Sequence, residues 1–361
     1  MSGVSIAIIG CGMMGREHMR NIALVEQLEL VAIADPDAGS RDAARQLSGS
    51  LGQDPEFFED ISDLMAAIKP DAVIFASPNY THFAVLHEIM PYRPAILVEK
   101  PLCTTVEHAR EIARLAEGYP ALFWVGLEYR YMPPVSRFIE RVHGGETGAV
   151  RMMYVREHRF PFLPKVGDWN RFNANTGGTL VEKCCHFFDL MRHTLRDEPV
   201  RIFASGGQDE NHLDERYDGK VPDILDNAFV TIDFAGGARA VLDLSMFAEG
   251  AEQQEEIYAL GGKGRLDVAI PAAKVTWSPR DRSGPIVETV DTPAEALAAG
   301  DHHGATYFQL RRFCDALNEG SPPEVSAQDG YRSVVMGAAA QQSISTGLPV
   351  TIDFTKEQPF A

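Results

Sequence analysis

A glycine-rich turn near the N-terminus limits what the first part of this chain can fold into. The segment Gly10-Cys11-Gly12-Met13-Met14-Gly15 follows the apolar run Ser5 to Ile9 and opens a helix. Glycine permits the tight turn and a close approach of ligand to backbone, and a helix N-terminus offers free N–H groups to phosphate oxygens. The pattern therefore predicts a strand–turn–helix unit that holds the pyrophosphate of a dinucleotide. The predicted binding residues of this turn are Gly10, Gly12, Met13, Met14 and Gly15.

The residue that ends the second apolar run narrows the choice of dinucleotide. Asp35 lies twenty residues after Gly15, directly after the predicted strand Leu28 to Ala34. A carboxylate there can accept hydrogen bonds from both ribose hydroxyls of an adenosine, and it repels a 2′-phosphate. Asp37 adds to this repulsion, whereas Arg41 is a nearby residue that could favour a phosphate. The predicted cofactor is therefore NAD, with Asp35 as a binding residue.

The pattern of apolar runs divides the chain into two regions. Over residues 1–126, short apolar strands alternate with amphipathic helices, which predicts an α/β Rossmann domain, that is, a doubly wound parallel sheet. Over residues 127–361, the pattern predicts an α+β domain for substrate binding and oligomerisation, with a large, mainly antiparallel open sheet. One helix is predicted over Thr179 to Leu195. Late helices over Thr306 to Asn318 and Gly330 to Thr346 could pack back on the first domain.

Composition excludes several classes of protein. The formal net charge of −18 argues against nucleic acid and anionic membranes as partners, because both attract basic patches. The five cysteines show no spacing typical of disulfides or zinc sites, which indicates a reducing compartment. The apolar run Val4 to Ile9 is shorter than a signal-peptide core, and no run reaches the roughly 20 apolar residues of a membrane span. The chain is therefore predicted to be cytoplasmic.

Three further motifs, taken with the glycine turn, resemble one enzyme family. Ser77-Pro78-Asn79 precedes His82, Glu99-Lys100-Pro101 ends an apolar run, and Gly177-Gly178-Thr179-Leu180 leads to His186 and Asp189. In this order, and over nearly the whole chain, they resemble the Gfo/Idh/MocA oxidoreductase family, which includes glucose–fructose oxidoreductase and inositol dehydrogenases. The residues that this resemblance adds to the predicted cofactor site are Ser77, Pro78, Asn79, His82, Glu99 and Lys100.

Lys100 is the first predicted catalytic residue. Oxidation of a secondary alcohol requires a hydride to leave carbon while a proton leaves oxygen. Lys100 follows a buried strand and precedes a proline that restricts the turn, so its ammonium can be held beside a substrate hydroxyl. The resemblance implies that this lysine contacts both cofactor and substrate and that the bond before Pro101 is often cis. A surface lysine after an edge strand is the alternative interpretation.

Glu182 and His186 form the second predicted catalytic set. On one helix, positions i and i+4 share a face, so the carboxylate and the imidazole can both point into a cleft. Related enzymes carry an aspartate at the position of Glu182, which acts with the lysine and the histidine on the proton. Glu182 departs from that pattern, and both proton transfer and substrate binding stay open for it. A buried structural pair is the alternative for both residues.

Several residues are candidates for substrate binding. Asp168-Trp169-Asn170-Arg171 has a composition suited to a sugar, with a flat ring for a pyranose face and polar groups for hydroxyls. Arg130 is either a substrate contact or an interdomain anchor, and Lys183 reaches either an anionic substituent or a salt-bridge partner. No metal is predicted, because the histidines and cysteines lack ligand spacing. The predicted substrate-binding residues are Lys100, Arg130, Arg159, Lys165, Trp169, Asn170, Arg171, Lys183, His186 and His303.

These observations predict an NAD-dependent oxidoreductase that acts on a secondary hydroxyl of a sugar, cyclitol or glycoside, with Lys100 and His186 handling the proton. A homo-dimer or homo-tetramer is expected through the open sheet, since an exposed apolar face is unfavourable. One alternative is an NAD-dependent glycoside hydrolase that works by transient oxidation, with Glu182, Tyr129 or His158 as an additional acid or base. The other is a non-catalytic NAD-binding sensor, although such relatives tend to lose the lysine or the histidine.

Overall fold

A computed structural model describes residues 3–281, 283–300 and 302–360 of the chain. These residues form two compact units. The first unit comprises Met1–Tyr131, Lys165–Trp169 and Thr292–Val334, and the second comprises Met132–Pro164, Asn170–Asp291 and Val335–Ala361. Among the described residues, no helix is both long and apolar enough to span a bilayer.

The first unit is built on a parallel sheet. Its strands and helices are β1 (Val4–Ile9), α1 (Met13–Ile22), β2 (Leu28–Ala34), α2 (Ala38–Leu51), β3 (Glu56–Phe58), α3 (Ile61–Ala67), β4 (Ala72–Phe75), α4 (His82–Ile89), β5 (Ala95–Glu99), α5 (Val106–Glu117) and β6 (Phe123–Gly126). The six described strands pair in the order β3-β2-β1-β4-β5-β6, and every pair is parallel. This is the doubly wound order, with its switch point between β1 and β4. The predicted Rossmann fold is confirmed.

Local chemistry explains where these elements begin and end. The strands β4, β5 and β6 are fully buried, as expected for strands covered by helices on both faces. The carboxylate of Asp37 accepts a hydrogen bond from the Ser40 N–H and caps α2, and Asp60 caps α3 in the same way. The helix α2 ends at Gly52, which adopts the left-handed conformation that glycine tolerates best.

The second unit is built on a large, mainly antiparallel sheet. The remaining elements of the chain are α6 (Pro133–His143), β7 (Val150–His158), α7 (Asn173–Thr176), α8 (Thr179–Glu182), α9 (Cys185–Leu195), β8 (Pro199–Gly207), β9 (Asn227–Phe234), β10 (Arg239–Ser245), β11 (Glu255–Gly261), β12 (Gly264–Ile270), β13 (Lys274–Pro279), β14 (Ile286–Thr289), α10 (Ala294–Ala298), α11 (Ala305–Glu319), α12 (Ala327–Thr346) and β15 (Val350–Thr351). The described strands pair in the order β14-β13-β12-β11-β7-β10-β9-β8-β15, and only β7 with β10 is a parallel pair among them. The predicted antiparallel sheet is confirmed.

The side chains of this sheet alternate between a covered and an open face. In β9, Ala228, Val230 and Ile232 are buried, whereas Phe229 is 63% exposed. The other strands of the sheet centre repeat this period of two, as expected when one face packs on a core. Helix α11 and the segment around it belong to the first unit rather than to the unit of this sheet.

The prediction of one helix over Thr179 to Leu195 is wrong. The structure has α8 and α9 separated by Lys183 and Cys184, whose backbone N–H groups both point at the carbonyl of Thr179. The thiol of Cys185 donates to the Glu182 carbonyl, which a continuous helix would pair with the N–H of His186. Glu182 and His186 therefore lie on two helices, and the argument from one continuous helical face does not hold.

Candidate active site

The glycine turn lies at the carboxyl edge of the parallel sheet, at its switch point. Gly10 has a φ of 87°, and a Cβ there would approach the backbone N of Ser77 to 2.7 Å. A Cβ on Gly15 would lie 2.1 Å from the carbonyl oxygen of Gly10, so only glycine allows α1 to start this close to β1. A Cβ on Gly12 would meet nothing within 4 Å. The turn thus has open space where a pyrophosphate would approach the backbone.

Asp35 is hydrogen-bonded to this turn. Its Oδ2 accepts from the Cys11 N–H at 2.8 Å, and its Oδ1 accepts from the Asp37 N–H at 2.9 Å. Arg41 donates to the Asp35 carbonyl at 2.6 Å and lies 3.6 Å from the Glu59 carboxylate. Because Arg41 is engaged with these acceptors, the acidic end of β2 suits ribose hydroxyls better than a 2′-phosphate.

His82 joins the loops that follow β4 and β5. Its Nδ1 lies 2.8 Å from the Pro101 carbonyl oxygen and its Nε2 lies 3.1 Å from that of Ser77. Burial lowers the pKa of His82, so the ring is neutral at pH 7 and donates one hydrogen bond, which the shorter distance assigns to Pro101. Thr81 and Ser77 share a further hydroxyl hydrogen bond. Since His82 is fully buried among these groups, its geometry is that of a positioning residue.

Lys100 follows β5 on a backbone that a buried ion pair holds in place. Glu99 Oε1 lies 2.7 Å from His18 Nε2, and Glu99 Oε2 accepts from the Lys100 N–H at 3.2 Å. Burial alone would lower the pKa of His18, but the hydrogen bond to Glu99 and the surrounding carboxylate charges together raise that pKa. Burial alone would raise the pKa of Glu99, but the hydrogen bond to His18 and the surrounding positive charges together lower that pKa. The Lys100 side chain is half-buried, and its bond to Pro101 is cis.

Glu182 and His186 are buried in the second unit, each 2% exposed. The segment before them is held by Gln341, which donates to the Gly177 carbonyl at 2.8 Å, and by Thr179, which donates to the Leu225 carbonyl at 2.6 Å. These contacts fix the start of α8 and therefore the place of Glu182.

Lys183 is buried in a cluster of charges in the second unit. Its Nζ lies 2.9 Å from Glu157 Oε1, and Arg159 lies 3.5 Å from the same oxygen. Glu255 is the register partner of Glu157 across β7 and β11. Burial and the charge of Glu157 raise the pKa of Glu255 to about 8. Of the two predicted roles of Lys183, this geometry favours the salt bridge.

Other predicted substrate residues are distributed over both units. In the first unit, Arg130 donates to the Glu324 carbonyl at 2.8 Å and lies 3.6 Å from Asp329. Lys165 lies 4.5 Å above the ring of Trp169, which is half-buried and has the ring of Tyr80 at 6.1 Å. These groups form an aromatic and cationic surface of the kind that suits a sugar ring.

In the second unit, Asn170 and Arg171 are buried and serve the protein's own packing. Asn170 donates to the Leu163 carbonyl at 3.0 Å, and Arg171 donates to Glu215 at 2.9 Å. Burial would raise the pKa of Glu215, but its hydrogen bonds with His212, Tyr217 and Arg171 lower that pKa to about 2. His303, the remaining predicted contact, has a positive φ of 52° in the first unit. The substrate contacts assigned to Asn170, Arg171 and His303 stay predictions.

Sequence reasoning missed several residues that the fold brings to these groups. His18 lies three residues after Gly15, and its place on α1 beside the turn was the available signal. The pair His302-His303 was a candidate for a substrate contact, with the choice between the two histidines open. The sequence gave no sign that Glu17, Glu128 and His302 meet, because they are far apart along the chain and come together only in the folded first unit. Tyr80 lay directly after the motif Ser77-Pro78-Asn79 and could have been added to it.

The sheet order, the glycine turn at the switch point and Asp35 define the class as dinucleotide-binding oxidoreductases of the Rossmann type. Family models agree: one described as an oxidoreductase family, NAD-binding Rossmann fold, matches residues 4–127. A second, described as the C-terminal alpha/beta domain of that family, matches residues 139–352. The chain belongs to the Gfo/Idh/MocA oxidoreductase family, and its cofactor is NAD.

Individual relatives cover nearly the full length of this chain. A myo-inositol 2-dehydrogenase from Thermotoga maritima is 26% identical over 96% of this chain and 98% of its own. An NAD(+)-dependent scyllo-inositol 2-dehydrogenase from Bacillus subtilis is 24% identical over 97% and 96%. An oxidoreductase domain protein from Kribbella flavida has a TM-score of 0.85 at 22% identity, over 98% of this chain and 100% of its own. The last comparison shows a shared fold.

Proposed function

We propose that this protein is an NAD-dependent dehydrogenase that oxidises a secondary hydroxyl of a cyclic polyol or sugar. The observation that carries the proposal is the support of Lys100 at the end of β5. The pair His18–Glu99 holds the backbone before it and His82 holds the residue after it. A lysine supported on both sides, on the sheet edge that carries the glycine turn, is suited to act beside a nicotinamide. Inositol 2-dehydrogenases among the relatives support this substrate class.

The proposed reaction removes one hydride and one proton from the substrate. The substrate loses a hydride from carbon and a proton from its hydroxyl, and it becomes a ketone. Bound NAD would supply the acceptor for this hydride. Lys100 and His186 orient the hydroxyl and take its proton, and Glu182 acts on the same proton or on a substrate hydroxyl. The reverse reaction returns the proton by the same groups.

We further propose that the substrate is uncharged. Lys183 and Arg159, which could have bound an anionic substituent, both face the carboxylate of Glu157. A substrate anion would have to displace this buried partner, and breaking a buried ion pair is costly. Inositols and neutral sugars therefore fit better than sugar acids.

A dehydrogenase screen tests the proposal. Inositol isomers, neutral sugars, sugar acids and glycosides are offered with NAD and, in parallel, with NADP; the reduced cofactor is measured by absorbance, and glycoside cleavage by product analysis. We expect NADH formation with at least one cyclic polyol or neutral sugar. Net cleavage of a glycoside without accumulation of NADH would instead contradict the proposal and indicate the hydrolase.

The variant Lys100→Met tests the residue that carries the proposal. Methionine keeps most of the unbranched length of the side chain but has no ammonium, so turnover should be abolished while NAD affinity stays within roughly tenfold. Lys69→Met, which alters an exposed lysine of the same unit, is the matched control. Unchanged turnover in Lys100→Met would remove this lysine from the mechanism.

A further inference from the structure

A buried cluster in the first unit brings two carboxylates and one imidazole together from distant parts of the chain. Glu17 lies on α1, Glu128 follows β6, and His302 precedes α11. His302 Nδ1 lies 2.8 Å from Glu17 Oε1 and 3.7 Å from Glu128 Oε1. One ligand atom of each side chain lies within 4.8 Å of the other two. Glu17 is 5% exposed and Glu128 is 0% exposed.

The hydrogen bonds of this cluster leave a place for a cation. The Thr306 hydroxyl lies 2.7 Å from Glu17 Oε1 and 2.6 Å from Glu128 Oε2. A hydroxyl has one hydrogen and can donate to only one of these carboxylates. The two carboxylates therefore share one hydroxyl hydrogen, and the cluster is short of positive charge, which a proton or a metal ion would supply.

Glu128 provides an independent observation. Its Oε1 is buried and has no hydrogen-bond partner among the described residues, although it lies within the group of candidate ligand atoms. A buried carboxylate oxygen without a hydrogen bond is unfavourable in a folded protein. Coordination of a metal ion by this oxygen would satisfy it.

We propose that Glu17, Glu128 and His302 bind a divalent transition-metal ion of the Zn²⁺ or Mn²⁺ kind. Two carboxylates and one imidazole are ligands that these ions accept, whereas Mg²⁺ prefers oxygen and water alone. The His302 side chain is 25% exposed and marks the route of entry. This proposal departs from the sequence prediction of no metal.

The bound ion would be a structural cross-link within the first unit. It would link α1, which starts at the glycine turn, to the segment after β6 and to the start of α11. Its role is structural, because none of its three ligands belongs to the predicted catalytic set. The readouts that test it are therefore metal content and stability.

Measurements of metal content and melting temperature on the full chain test the proposed metal site. The protein is stripped with a chelator, incubated with a small excess of ZnCl₂, MnCl₂ or MgCl₂, and passed through a desalting column. Metal is then counted by mass spectrometry, and the melting temperature is measured before and after loading. We expect about one Zn²⁺ or Mn²⁺ per chain, no retained Mg²⁺, and a rise of several degrees, because an ion that binds only the folded state stabilises it.

Two variants and one control locate the ion. Glu128→Gln and His302→Gln each remove one ligand with little change of shape, and each should lower the affinity at least roughly tenfold and abolish the rise in melting temperature. His302→Gln alters a partly exposed side chain and keeps the test valid if Glu128→Gln does not fold. Glu111→Gln is the control, since this exposed carboxylate lies 3.1 Å from His87. Absence of metal from the wild type, or retention of metal by both variants, would overturn the proposal.

Discussion

At the scale of single residues, Asp35 combines two tasks in one carboxylate. It accepts the Cys11 N–H and so ties the glycine turn to the end of β2, and it places negative charge where an adenosine ribose would bind. The first task needs an acceptor oxygen, whereas the second, exclusion of a 2′-phosphate, needs the charge. Asparagine retains an acceptor without the charge, so substitutions can separate these tasks.

We predict that Asp35→Asn lowers the preference for NAD over NADP by roughly five- to thirtyfold, the equivalent of about 1–2 kcal/mol. Asp35→Ala should relax the preference to a similar extent. It should also lower the affinity for NAD itself, because the glycine turn loses its hydrogen-bond acceptor. Titration with both cofactors measures the ratio. Asp42→Asn, an exposed change on α2, should leave the ratio unaltered. An unaltered ratio in both Asp35 variants would count against the assigned role.

Glu255 is a second residue whose environment can be tested. It is 1% exposed, lies opposite Glu157 across the strands, and has its pKa raised to about 8 by burial and by the charge of Glu157. Its folded pKa is thus above its unfolded value near 4.5. Between these values the folded state holds a proton that the unfolded state has lost, so stability falls as pH rises.

We predict that Glu255→Gln removes this part of the pH dependence. From about pH 5 to pH 8, the unfolding free energy of the wild type should fall relative to the variant by up to about 1.4 kcal/mol per pH unit. Urea unfolding at several pH values measures the difference. Glu256→Gln, the neighbouring and more exposed position of the same strand, should follow the wild type. Parallel curves for Glu255→Gln and wild type would show that Glu255 is ionised throughout.

At the scale of elements, α12 approaches α8 closely. A Cβ on Gly337 of α12 would lie 2.5 Å from the carbonyl oxygen of Leu180 in α8. Because Leu180 precedes Glu182 by two residues, this contact helps to place a predicted catalytic side chain. Close packing therefore requires glycine at position 337, although glycine is a poor helix former.

We predict that Gly337→Ala destabilises the protein by roughly 1–3 kcal/mol, although alanine is the better helix former, because the added methyl group overpacks the contact. Gly49→Ala in α2 is the matched control: its Cβ would meet nothing within 4 Å, and it should stabilise by roughly 0.5–1 kcal/mol. Thermal unfolding of both variants tests the pair. A gain of stability in Gly337→Ala would show that the helices can separate without cost.

At the scale of the whole molecule, the open face of the second unit's sheet carries large apolar side chains that are exposed. Phe229 is 63% exposed, Met152 is 49% exposed and Phe203 is 41% exposed on this face. Tyr154 and Tyr258 stack beside them with ring centroids 5.2 Å apart. Exposed apolar and aromatic side chains on one face of a sheet favour self-association. We therefore retain the proposal of a dimer or tetramer through it.

We predict that Phe229→Glu weakens this association at least roughly tenfold, because each copy would bury an unpaired charge. Light scattering coupled to gel filtration measures the mass over a range of concentrations. Leu115→Glu, at an exposed apolar position on α5 that is 43% exposed, should not change the mass. A wild type that stays monomeric, or a Phe229→Glu protein with unchanged mass, would contradict the proposed interface.

Much of the fold followed from local patterns. The strand–turn–helix unit at the glycine turn, the parallel sheet of the first unit and the mainly antiparallel sheet of the second were predicted correctly, because the residues that produce these patterns are neighbours in sequence. The pairing of strands within the second sheet, where β7 and β10 are parallel, was not predicted, because it joins residues far apart along the chain. The interruption at Lys183 and Cys184 was also missed, because both residues keep helical backbone angles and only the hydrogen-bond pattern changes there.

The sequence by itself determined three features: the alternation of strands and helices in the first unit, the glycine turn with Asp35, and the position of Lys100 at the end of a strand. Each of these depends on backbone conformation and on residues close along the chain. Only the tertiary structure decided the partners of the buried charges: His18 with Glu99, Lys183 with Glu157, and His302 with Glu17, which is 285 residues away. A buried charge needs a partner wherever the fold can supply one, and spacing in sequence does not encode which residue that will be.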